Sequence, residues 1–321
     1  MIILTGAAGF IGSCMAAKLN QEGFNDLILV DDFSREAQKA NYQSKVYSEL
    51  VPREELFSWM KGKESLVQMI IHLGARTDTS EQDERIFQKL NISYSQEIWH
   101  VCCEHGIPLI YASSAATYGD GSLGFEDSLP DPSVLKPLNP YGRSKNDFDI
   151  WALNQPKKPY FWVGLKFFNV YGPNEFHKGR MASVIFHAFN QIQRTDQLKL
   201  FRSHREDYAD GEQKRDFVYV KDLTEVIHFF MHHRKDSGLY NLGTGQARTF
   251  YDLGDNVFKS LGKETVINFI DTPVDIRASY QYFTEANMSK LRSIGFERPF
   301  TSLEEGIADY VKNYLLTNQY M

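Results

Sequence analysis

Short apolar runs alternate with longer amphipathic stretches along the first half of the chain. The apolar runs are continuous, which is the pattern of parallel strands that are buried on both faces. They predict strands at residues 2–5, 27–30, 68–73, 108–113 and 161–167. The amphipathic stretches between them predict helices at residues 10–22, 54–60, 81–105 and 141–153. Because strands and helices alternate, we predict an α/β protein with a doubly wound parallel sheet of the Rossmann type.

The pattern loosens after Asn169. Glycine, proline and charged residues cluster at residues 172–180 and again at residues 203–215, as they do in loops. A further strand and helix are predicted within residues 216–232, and a glycine-rich turn follows at residues 241–245. The second half therefore predicts a smaller α/β region rather than a continuation of the same regular sheet.

The composition is that of a folded protein with a typical fraction of charged residues. The chain has 321 residues, of which 42% are hydrophobic and 24% charged, and its formal net charge is −6. A sizeable core is expected, and an acidic chain is a poor general binder of nucleic acids or membrane surfaces. We therefore expect no nucleic-acid partner and no membrane partner. The composition does not exclude a local basic pocket that binds a small anion.

Cysteine usage and the opening residues bear on the compartment. The three cysteines, Cys14, Cys102 and Cys103, match neither a disulfide framework nor a metal-ligand spacing. The chain opens directly with the strand-like MIILTG, so we expect no secretory signal, and no apolar run reaches the roughly 18 residues of a membrane span. These features predict a cytoplasmic protein without a metal site.

Three glycines, Gly6, Gly9 and Gly12, stand at spacings of three directly after the first predicted strand. In such a strand–turn–helix unit the first glycine permits a tight turn, the second lets the backbone approach a pyrophosphate, and the third lets the helix pack on the strand. The helix N-terminus then offers free N–H groups to the anion. Asp31 ends the second predicted strand 19 residues after Gly12, where a carboxylate can accept from ribose hydroxyls. We predict that this loop binds a dinucleotide.

The charges near the second strand leave the identity of that dinucleotide open. Asp31 and Asp32 would repel a 2′-phosphate, which favours NAD. Arg35, Lys39 and Arg53 lie where basic groups could neutralise such a phosphate, which favours NADP. These three cations are equally well explained as solvated surface charges.

A second constellation indicates catalysis. Tyr141 and Lys145 are four residues apart, so they lie on one face of a predicted helix. A neighbouring ammonium favours the phenolate, so Tyr141 can act as a base below its free pKa of about 10. The fourth predicted strand ends in YASSAATYG, at the edge where open parallel sheets bind ligands. A hydroxyl there can hold the substrate oxygen that loses its proton.

These motifs, in this order, resemble the extended short-chain dehydrogenase/reductase superfamily of nucleotide-sugar epimerases and dehydratases, over nearly the whole chain. The resemblance implies a catalytic trio of Ser114 (or Thr117), Tyr141 and Lys145. It also implies cofactor contacts from Phe10, Ile11, Leu73, Gly74, Ala75, Arg76, Thr77, Asn91, Lys145, Val170 and Lys178. Lys39 is displaced by one residue from the family's basic position near the adenine ribose, which weakens the expectation of NADP.

The same patterns predict two domains. We place a dinucleotide-binding domain at residues 1–168 and a smaller substrate-binding domain at residues 169–321. The segment 216–243 is expected to return to the first domain.

Three stretches of the second half narrow the resemblance. FFNVYGPNEFHKGRMASVIFH begins at Phe167, LKLF at Leu198 and KRDFVYV at Lys214. With YASSAATYG and PLNPYGRSK they are similar to the epimerases that invert C6 of an ADP-linked heptose for the inner core of lipopolysaccharide. The resemblance implies an ADP-heptose as substrate and NADP as the bound cofactor, with NAD as the alternative. It also implies a ring-like homo-oligomer, with a pentamer as the expected form.

The chemistry of such an epimerisation calls for two acid/base groups. A carbon that bears a hydroxyl has no acidic proton to remove, so hydride must leave to the cofactor and return to the other face. The two epimeric hydroxyls lie in different places, and one acid/base group does not easily serve both. The resemblance implies Tyr141 and Lys178 in these roles. The alternative for Lys178 is a phosphate contact or the closing of a loop.

The resemblance also implies a substrate site that, Ser114 apart, comes from the second half of the chain. Its residues are Ser114, Asn169, Arg180, His187, Phe201, Arg202, Ser203, His204, Arg215 and Tyr280. The guanidinium of Arg215 suits a diphosphate, and a buried salt bridge with Asp216 is the competing interpretation. His187 is either a ligand or a core-edge histidine.

Two features depart from the family pattern. Arg180 stands where a small polar residue is expected, and it could add a phosphate contact or tighten the pocket. The loop at residues 203–213 is longer and more charged than expected, which affects the assignments of Arg202, Ser203 and His204.

Three other functions fit the sequence less well. A 4,6-dehydratase would need an Asp–Glu pair directly after the catalytic hydroxyl, where this chain has Ala115 and Ala116. A UDP-hexose 4-epimerase fits the HKGRMAS stretch poorly. A protein that only senses NAD(P) would be expected to lose Tyr141 or Lys145, and both are present. We therefore predict an enzyme, an NAD(P)-dependent nucleotide-sugar epimerase.

Overall fold

The structure, a computed structural model, describes residues 1–277 and 280–321. Its strands are β1 (Ile2–Thr5), β2 (Leu27–Asp31), β3 (Glu49–Pro52), β4 (Met69–His72), β5 (Leu109–Ser114), β6 (Trp162–Phe167), β7 (Asn169–Tyr171), β8 (Leu198–Phe201), β9 (Lys214–Tyr219), β10 (Gly238–Leu242), β11 (Ala247–Thr249) and β12 (Ile267–Ile270). Its α-helices are α1 (Phe10–Gln21), α2 (Lys39–Tyr42), α3 (Leu56–Met60), α4 (Glu84–Phe87), α5 (Tyr94–His105), α6 (Pro140–Asn154), α7 (Val184–Thr195), α8 (Val220–His232), α9 (Phe250–Ser260), α10 (Val274–Arg277), α11 (Ser289–Ser293) and α12 (Leu303–Tyr310).

Seven strands form one parallel sheet in the order β10–β6–β5–β4–β1–β2–β3. Alternate residues of its strands enter different hydrophobic clusters: Ile2 and Leu4 pack on one face, and Ile3 packs on the other. Both faces are therefore covered, which explains why the strands are continuous apolar runs. The predicted α/β class and doubly wound Rossmann-type sheet are confirmed.

The direction of the chain across this sheet reverses beside β1. From β1 the chain moves outward to β2 and β3, and then crosses back to β4 and continues to β5 and β6 on the other side. The loops that leave β1 and β4 consequently diverge and open a crevice at the carboxyl edge of the sheet. Open α/β sheets bind ligands at such a point.

The five predicted strands of the main sheet are found with boundaries that differ by at most one residue. The predicted helix at 81–105 is wrong as a single element, because a π-helical turn, Gln88–Ser93, separates α4 from α5. The predicted helix at 54–60 begins with a 3-10 turn, Arg53–Glu55, before α3. The sequence pattern missed β3, a four-residue edge strand in which only Val51 is buried.

The second half of the chain adds two small sheets. Strands β7, β9 and β11 form one, and β8 and β12 form the other. A separate hydrophobic cluster joins these strands to α7, α9 and α12, with Ile185, Val257 and Ile307 fully buried in it. Within segment 216–243, β9 belongs to a small sheet, whereas β10 pairs with β6 at the edge of the main sheet. The division into two domains stays a prediction.

Among the described residues, no helix combines the length and the apolar character that crossing a bilayer requires.

Candidate active site

The glycine loop between β1 and α1 is packed against backbone on two sides. Gly6 adopts φ +70°, and a Cβ on it would lie 2.6 Å from the backbone nitrogen of Gly74. A Cβ on Gly12 would lie 2.1 Å from the carbonyl oxygen of Gly6. The loop therefore has no room for side chains at these two positions, and the N-terminus of α1 stays open to a ligand.

Asp31 holds this loop in place from the end of β2. Its carboxylate accepts hydrogen bonds from the backbone N–H of Ala8 at 2.8 Å and from that of Asp32 at 2.7 Å. Burial raises the pKa of Asp31, and the N–H groups of Asp32 and Ala8 oppose that rise. The side chain thus ties the glycine loop to β2 and also faces the crevice.

A cavity of about 350 Å³ occupies the crevice. Most residues that were predicted to contact the cofactor lie in its wall. They are Gly6, Gly9, Phe10, Ile11, Gly12, Asp31, Arg53, Leu73, Gly74, Ala75, Arg76, Thr77 and Lys178, and Arg35 joins them. The structure therefore brings the glycine loop, residues 73–77 (the LGART segment) and the turn of Lys178 around one space.

Five predicted cofactor residues are not among the residues lining this cavity: Asp32, Lys39, Asn91, Lys145 and Val170. Lys39 is directed away from the cavity and pairs with Glu36 at 3.2 Å. The neighbouring residue, Gln38, lies in the cavity wall where Lys39 was expected. Asn91 is buried behind the wall, where its amide group bonds both the N–H and the carbonyl of Arg76. Asn91 also donates to Ser144 Oγ at 2.9 Å, so it links the LGART segment to α6.

Helix α6 presents the tyrosine–lysine pair. It begins with Asn139 as a cap, whose side chain accepts from the N–H of Gly142, and with Pro140 in the first turn, where proline is preferred. Lys145 is 6% exposed and donates from Nζ to the carbonyl oxygen of Ala112 on β5 at 2.7 Å. Burial lowers the pKa of Lys145 to about 8, and the Asp149 carboxylate opposes this change.

The expected lowering of the Tyr141 pKa by Lys145 is wrong for this arrangement. Burial raises the pKa of Tyr141, the hydrogen bond with Ser114 lowers it, and the charge of Asp149 raises it. Lys145 is directed to the carbonyl of Ala112, and its own burial disfavours the ammonium form. Tyr141 is therefore a neutral phenol in this arrangement rather than a pre-formed phenolate.

The structure separates the two candidates for the catalytic hydroxyl. Thr117 is fully buried, donates to the carbonyl oxygen of Ser114 and accepts from Lys166 Nζ at 2.8 Å. Ser114 ends β5, accepts from the N–H of Ala116 at 3.1 Å and lies close enough to Tyr141 to lower the pKa of that phenol. The geometry therefore favours Ser114, because Thr117 is committed to structural contacts.

Lys178 reaches the cavity from a different element. It lies in a 3-10 turn, Phe176–Met181, that is broken at Gly179, where φ is +53°. Its Nζ stands 5.1 Å from the centre of the Phe10 ring, beside the glycine loop. Burial lowers the pKa of Lys178, and the buried carboxylate of Glu175 opposes that change. A buried amine of this kind is suited to proton transfer.

Three of the predicted substrate residues form a cluster. The guanidinium of Arg215 lies 5.5 Å from the ring centre of Tyr280, and Phe201 packs edge-on against the same ring. Arg215 donates to the carbonyls of Lys214 and Gln281. The proposed salt bridge of Arg215 with Asp216 is wrong, because Asp216 accepts instead from Thr244, Gly245 and Ala286.

The other predicted substrate residues are engaged with neighbours at the surface. Arg202 pairs with Asp210 at 3.2 Å, and the N–H of Ser203 donates to the same carboxylate. His204 accepts from the N–H of Thr272 at 3.2 Å. These contacts fold the charged loop back on itself and on the end of β12.

Arg180, His187 and Asn169 also lie apart from that cluster. Arg180 pairs with Asp78 at 3.3 Å across the mouth of the cavity. His187 is exposed rather than part of the core, and its Nε2 lies 3.3 Å from the carbonyl oxygen of Arg180. Asn169 is exposed at the start of β7.

Eight residues of the cavity wall were missed by the sequence analysis. They are Thr5, Val30, Gln38, Asp78, Leu90, Tyr94, His177 and Met181. Thr5 and Val30 end the first two strands, so the position of strand ends was a signal that pointed to them. Leu90 and Tyr94 lie in the π-helical turn and at the start of α5, where the predicted helix at 81–105 did not mark them as wall residues, and the others come from a loop and from 3-10 turns.

Comparison with known proteins decides the family. The model of the NAD dependent epimerase/dehydratase family matches residues 2–243. The chain belongs to this family. The description of this family names NAD dependence, which supports a nicotinamide cofactor for the chain.

Relatives within the family match almost from end to end. A protein of Fusobacterium nucleatum subsp. nucleatum named ADP-L-glycero-D-manno-heptose-6-epimerase is 45% identical over 325 residues, with 98% of each chain covered. A protein of the same name from Nitratidesulfovibrio vulgaris is 45% identical over 317 residues, again with 98% of each chain covered. The crystal structure of the protein so named from Helicobacter pylori superposes with a TM-score of 0.81 at 26% identity, covering 97% of this chain and 95% of that chain. The resemblance and the enzyme class predicted from the sequence are confirmed.

Proposed function

We propose that the protein interconverts ADP-D-glycero-D-manno-heptose and ADP-L-glycero-D-manno-heptose by transient oxidation at C6. The observation that supports this proposal is that two candidate acid/base groups come from different elements: Lys178 lines the dinucleotide cavity, and Tyr141 lies beside Ser114 at the carboxyl end of β5. Tyr141 comes from α6 beside Ser114, and Lys178 comes from the turn beside Phe10. The named relatives at 45% identity support the choice of sugar and of carbon.

The residues of the cavity fit a nicotinamide dinucleotide. The crowded positions of Gly6 and Gly12 keep the backbone open at the N-terminus of α1, where a pyrophosphate is bound in this fold. Gln38 Oε1 is buried in the cavity wall and has no hydrogen-bond partner among the described residues. A ribose hydroxyl there would satisfy it. When bound, the cofactor supplies a hydride acceptor that later returns the same hydride.

In the oxidation half of the reaction, Ser114 holds the C6 hydroxyl and one acid/base group removes its proton as the C6–H bond gives up hydride. The product is an aldehyde on a rotatable side chain, so its two faces exchange without movement of the sugar ring. Once hydride had returned to the other face of the aldehyde, the second group would give a proton to the oxygen. We assign Tyr141 and Lys178 to these two roles, with Lys145 supporting Tyr141.

The diphosphate end of the substrate is assigned to the cluster of Arg215, Tyr280 and Phe201. A buried guanidinium held between aromatic rings keeps its planar fork fixed for phosphate oxygens. Asn169, Arg180, His187, Arg202, Ser203 and His204 remain assigned to the substrate site, and several would have to exchange a present partner for substrate. Arg180, for example, would leave Asp78.

For the cofactor we propose NADP, with NAD as the alternative. Arg35 and Arg53 line the cavity beside Asp31, and both guanidinium groups lie near Asp32, at 3.3 Å and 3.7 Å. A 2′-phosphate would compete with Asp32 for these two cations, whereas NAD would leave the three charges as they are. The nucleotide that purified protein releases on denaturation distinguishes the two.

Three further proposals rest on the family resemblance. We propose a cytoplasmic enzyme that serves lipopolysaccharide synthesis, in keeping with three cysteines that are all unpaired. We propose a homo-oligomer, with a pentameric ring as the form to test by light scattering. We also propose that residues 1–168 with segment 216–243 bind the cofactor and that residues 169–321 otherwise bind the sugar nucleotide.

The test of the proposed function is an assay of C6 configuration. Purified protein is incubated with ADP-D-glycero-D-manno-heptose, and the two epimers are resolved by NMR while absorbance at the wavelength of reduced nicotinamide is followed. Conversion to a constant mixture without net reduction of cofactor is the expected result. Retention of cofactor without any conversion would overturn the choice of sugar and direct the assay to other nucleotide sugars.

A further inference from the structure

A buried ion pair lies directly behind the catalytic end of β5. Lys166 Nζ and Asp149 Oδ2 are 2.7 Å apart, and the two side chains expose 2% and 0% of their surfaces. Lys166 stands on β6 in register with Ser113 of β5. Asp149 lies on α6, four residues after Lys145, so it shares the helix face that presents Lys145 to the site.

This pair holds the segment of Ser114 from both sides. Asp149 accepts from Ser113 Oγ at 2.7 Å and from the hydroxyl of Tyr111 at 3.0 Å. Lys166 Nζ donates to Thr117 Oγ1 at 2.8 Å, and Thr117 Oγ1 donates to the carbonyl oxygen of Ser114 at 2.9 Å. The residues before and after Ser114 are thus tied to one buried charge pair.

Fold stability alone does not account for such a pair. Removing two charges from water costs several kcal/mol per ion, and apolar residues of similar volume often serve the fold equally well or better. Among the described residues, every side-chain atom that hydrogen-bonds the side chain of Asp149 or Lys166 belongs to residues 111–117 or to the pair itself. The pair therefore acts on one short segment, the one that carries the catalytic hydroxyl.

The carboxylate also acts on Lys145. Burial lowers the pKa of Lys145 to about 8, and Asp149 is the charged group that opposes this change. His72, on β4, is the other titratable group near Lys145. Burial, with a smaller effect of the Lys145 charge, lowers the pKa of His72 to about 3, so its imidazole is neutral and adds no charge beside Lys145. On α6 itself, Tyr141 is neutral at the same pH because burial raises its pKa.

We propose that Asp149 and Lys166 are positioning residues of the active site: their ion pair fixes the segment of Ser114, and Asp149 supports Lys145 from one helical turn further along α6. This inference rests on the proposed roles of Ser114, Tyr141 and Lys145. It adds two residues that touch neither the dinucleotide cavity nor, by their burial, a bound substrate.

The first test removes the charge of Asp149 with little change of shape. Asp149→Asn is compared with Asp147→Asn, which makes the same substitution at an exposed position of the same helix. The titration of Lys145 is followed by NMR of lysine labelled with 13C at Cε, with the signal assigned from a Lys145→Met variant. We expect the midpoint to move to lower pH in Asp149→Asn and to stay in place in Asp147→Asn. An unchanged midpoint in Asp149→Asn overturns the electrostatic role.

Turnover gives the matching kinetic result. Because misplacement of a reacting group by about 1 Å costs on the order of 10²-fold, we expect kcat of Asp149→Asn to fall by about 10²-fold with KM little changed. The falling limb of the pH profile should move to lower pH together with the Lys145 titration. A loss of kcat without any change in the profile would mean a merely structural residue and would overturn the proposal.

A second pair of variants covers the case in which Asp149→Asn does not fold. The double variant Asp149→Leu/Lys166→Met replaces both charges by apolar groups, which is expected to keep the fold. Lys166→Arg keeps the charge. We expect the double variant to have a melting temperature close to that of the wild type and a kcat that is about 10²-fold lower. Lys166→Arg should keep most of the wild-type kcat. Full activity of the double variant overturns the proposal.

An inactive wild type overturns the proposed function instead, and the Lys145 titration then still tests the role of Asp149.

Discussion

The dinucleotide cavity and the substrate side of the site are held by different kinds of contact. The cavity is shaped by backbone: Gly6 packs against Gly74, Gly12 packs against Gly6, and Asp31 fixes the loop through N–H groups. The substrate side is shaped by long side chains on loops, such as Arg180 and Arg202, that now pair with neighbouring carboxylates. Backbone contacts leave little freedom, whereas side-chain pairs can exchange one partner for another.

This difference predicts how each region responds to mutation. Atoms added to the cavity's backbone should cost stability, because nothing nearby can move aside. Changes on the substrate side should leave the fold intact and appear in turnover or in KM. Groups that transfer protons should show the largest effects, whichever region carries them.

Tyr141→Phe should give the largest effect. Removing the hydroxyl takes away one acid/base group, and we expect kcat to fall by about 10²–10⁴-fold while the cofactor stays bound. Turnover and the content of released nucleotide are measured together. Tyr251→Phe, at a tyrosine that is 41% exposed, is the control and should keep full activity. Normal turnover of Tyr141→Phe would remove Tyr141 from the mechanism.

Lys178→Met tests whether a loop residue can match that effect. If the turn of Lys178 carries the second acid/base group, kcat should fall by about 10²-fold, with the melting temperature little changed because methionine has a similar length and an apolar stem. Lys199→Met, at an exposed position of β8, is the matched control. A rise in KM at unchanged kcat would instead make Lys178 a binding residue.

Two glycine substitutions compare the regions directly. A Cβ on Gly12 meets a backbone oxygen at 2.1 Å, whereas a Cβ on Gly254 of α9 meets the end of the Leu198 side chain at 2.6 Å. We expect Gly12→Ala to lower the free energy of unfolding by about 3 kcal/mol and Gly254→Ala by about 1 kcal/mol or less. Denaturant unfolding of both variants measures this. Equal losses would show that the backbone of the cavity yields as easily as the side-chain packing around α9.

The acid sensitivity of the fold should originate partly beneath the cavity. Burial lowers the pKa of His72 to about 3, and this imidazole bonds Thr5 and Ser95. Because the unfolded chain binds a proton at about 6.5 and the folded chain does not, the contribution of His72 to stability is present above 6.5 and is lost as pH falls from there toward 3.

The measurement is the free energy of unfolding at several values between pH 4 and pH 7. We expect its slope with pH to be smaller in His72→Asn than in wild type, whereas His187→Asn, at an exposed histidine, should leave the slope unchanged. If His72→Asn keeps the wild-type slope, other groups account for the acid sensitivity.

Arg180→Ser should give the smallest effect. Arg180 must leave Asp78 to contact a substrate phosphate, and an exposed ion pair is worth about 1 kcal/mol or less, so the net gain on binding is small. We expect KM to rise by about 5-fold with kcat unchanged. Arg194→Ser, on α7, is the control for loss of a cation. A rise in KM of about 100-fold would show that this loop is a fixed part of the substrate site.

The parts of the molecule that follow from local pattern were predictable from the sequence. The strands of the main sheet are continuous apolar runs, and the glycine spacing specified a turn that leaves no room for side chains at Gly6 or Gly12. The edge strand β3 was not predictable in the same way, because only Val51 of its four residues is buried.

The parts that depend on tertiary contacts were not predictable. The helical spacing of residues 81–105 does not reveal the π-helical turn that places Asn91 against Arg76. Adjacent Arg215 and Asp216 suggested a salt bridge, yet consecutive residues of β9 point to opposite faces of its sheet. Gln38 enters the cavity wall and Lys39 does not, a difference of one position that only the turn before α2 determines.

The most direct test of the account follows deuterium placed on C6 of ADP-D-glycero-D-manno-heptose. The enzyme is incubated with this substrate in ordinary water, and the epimeric product is analysed by mass spectrometry and NMR. Because the hydride leaves to the bound cofactor and returns to the same carbon, the account predicts that the product keeps its deuterium at C6. Replacement of that deuterium by hydrogen from water would contradict transient oxidation and require removal of the C6 hydrogen as a proton.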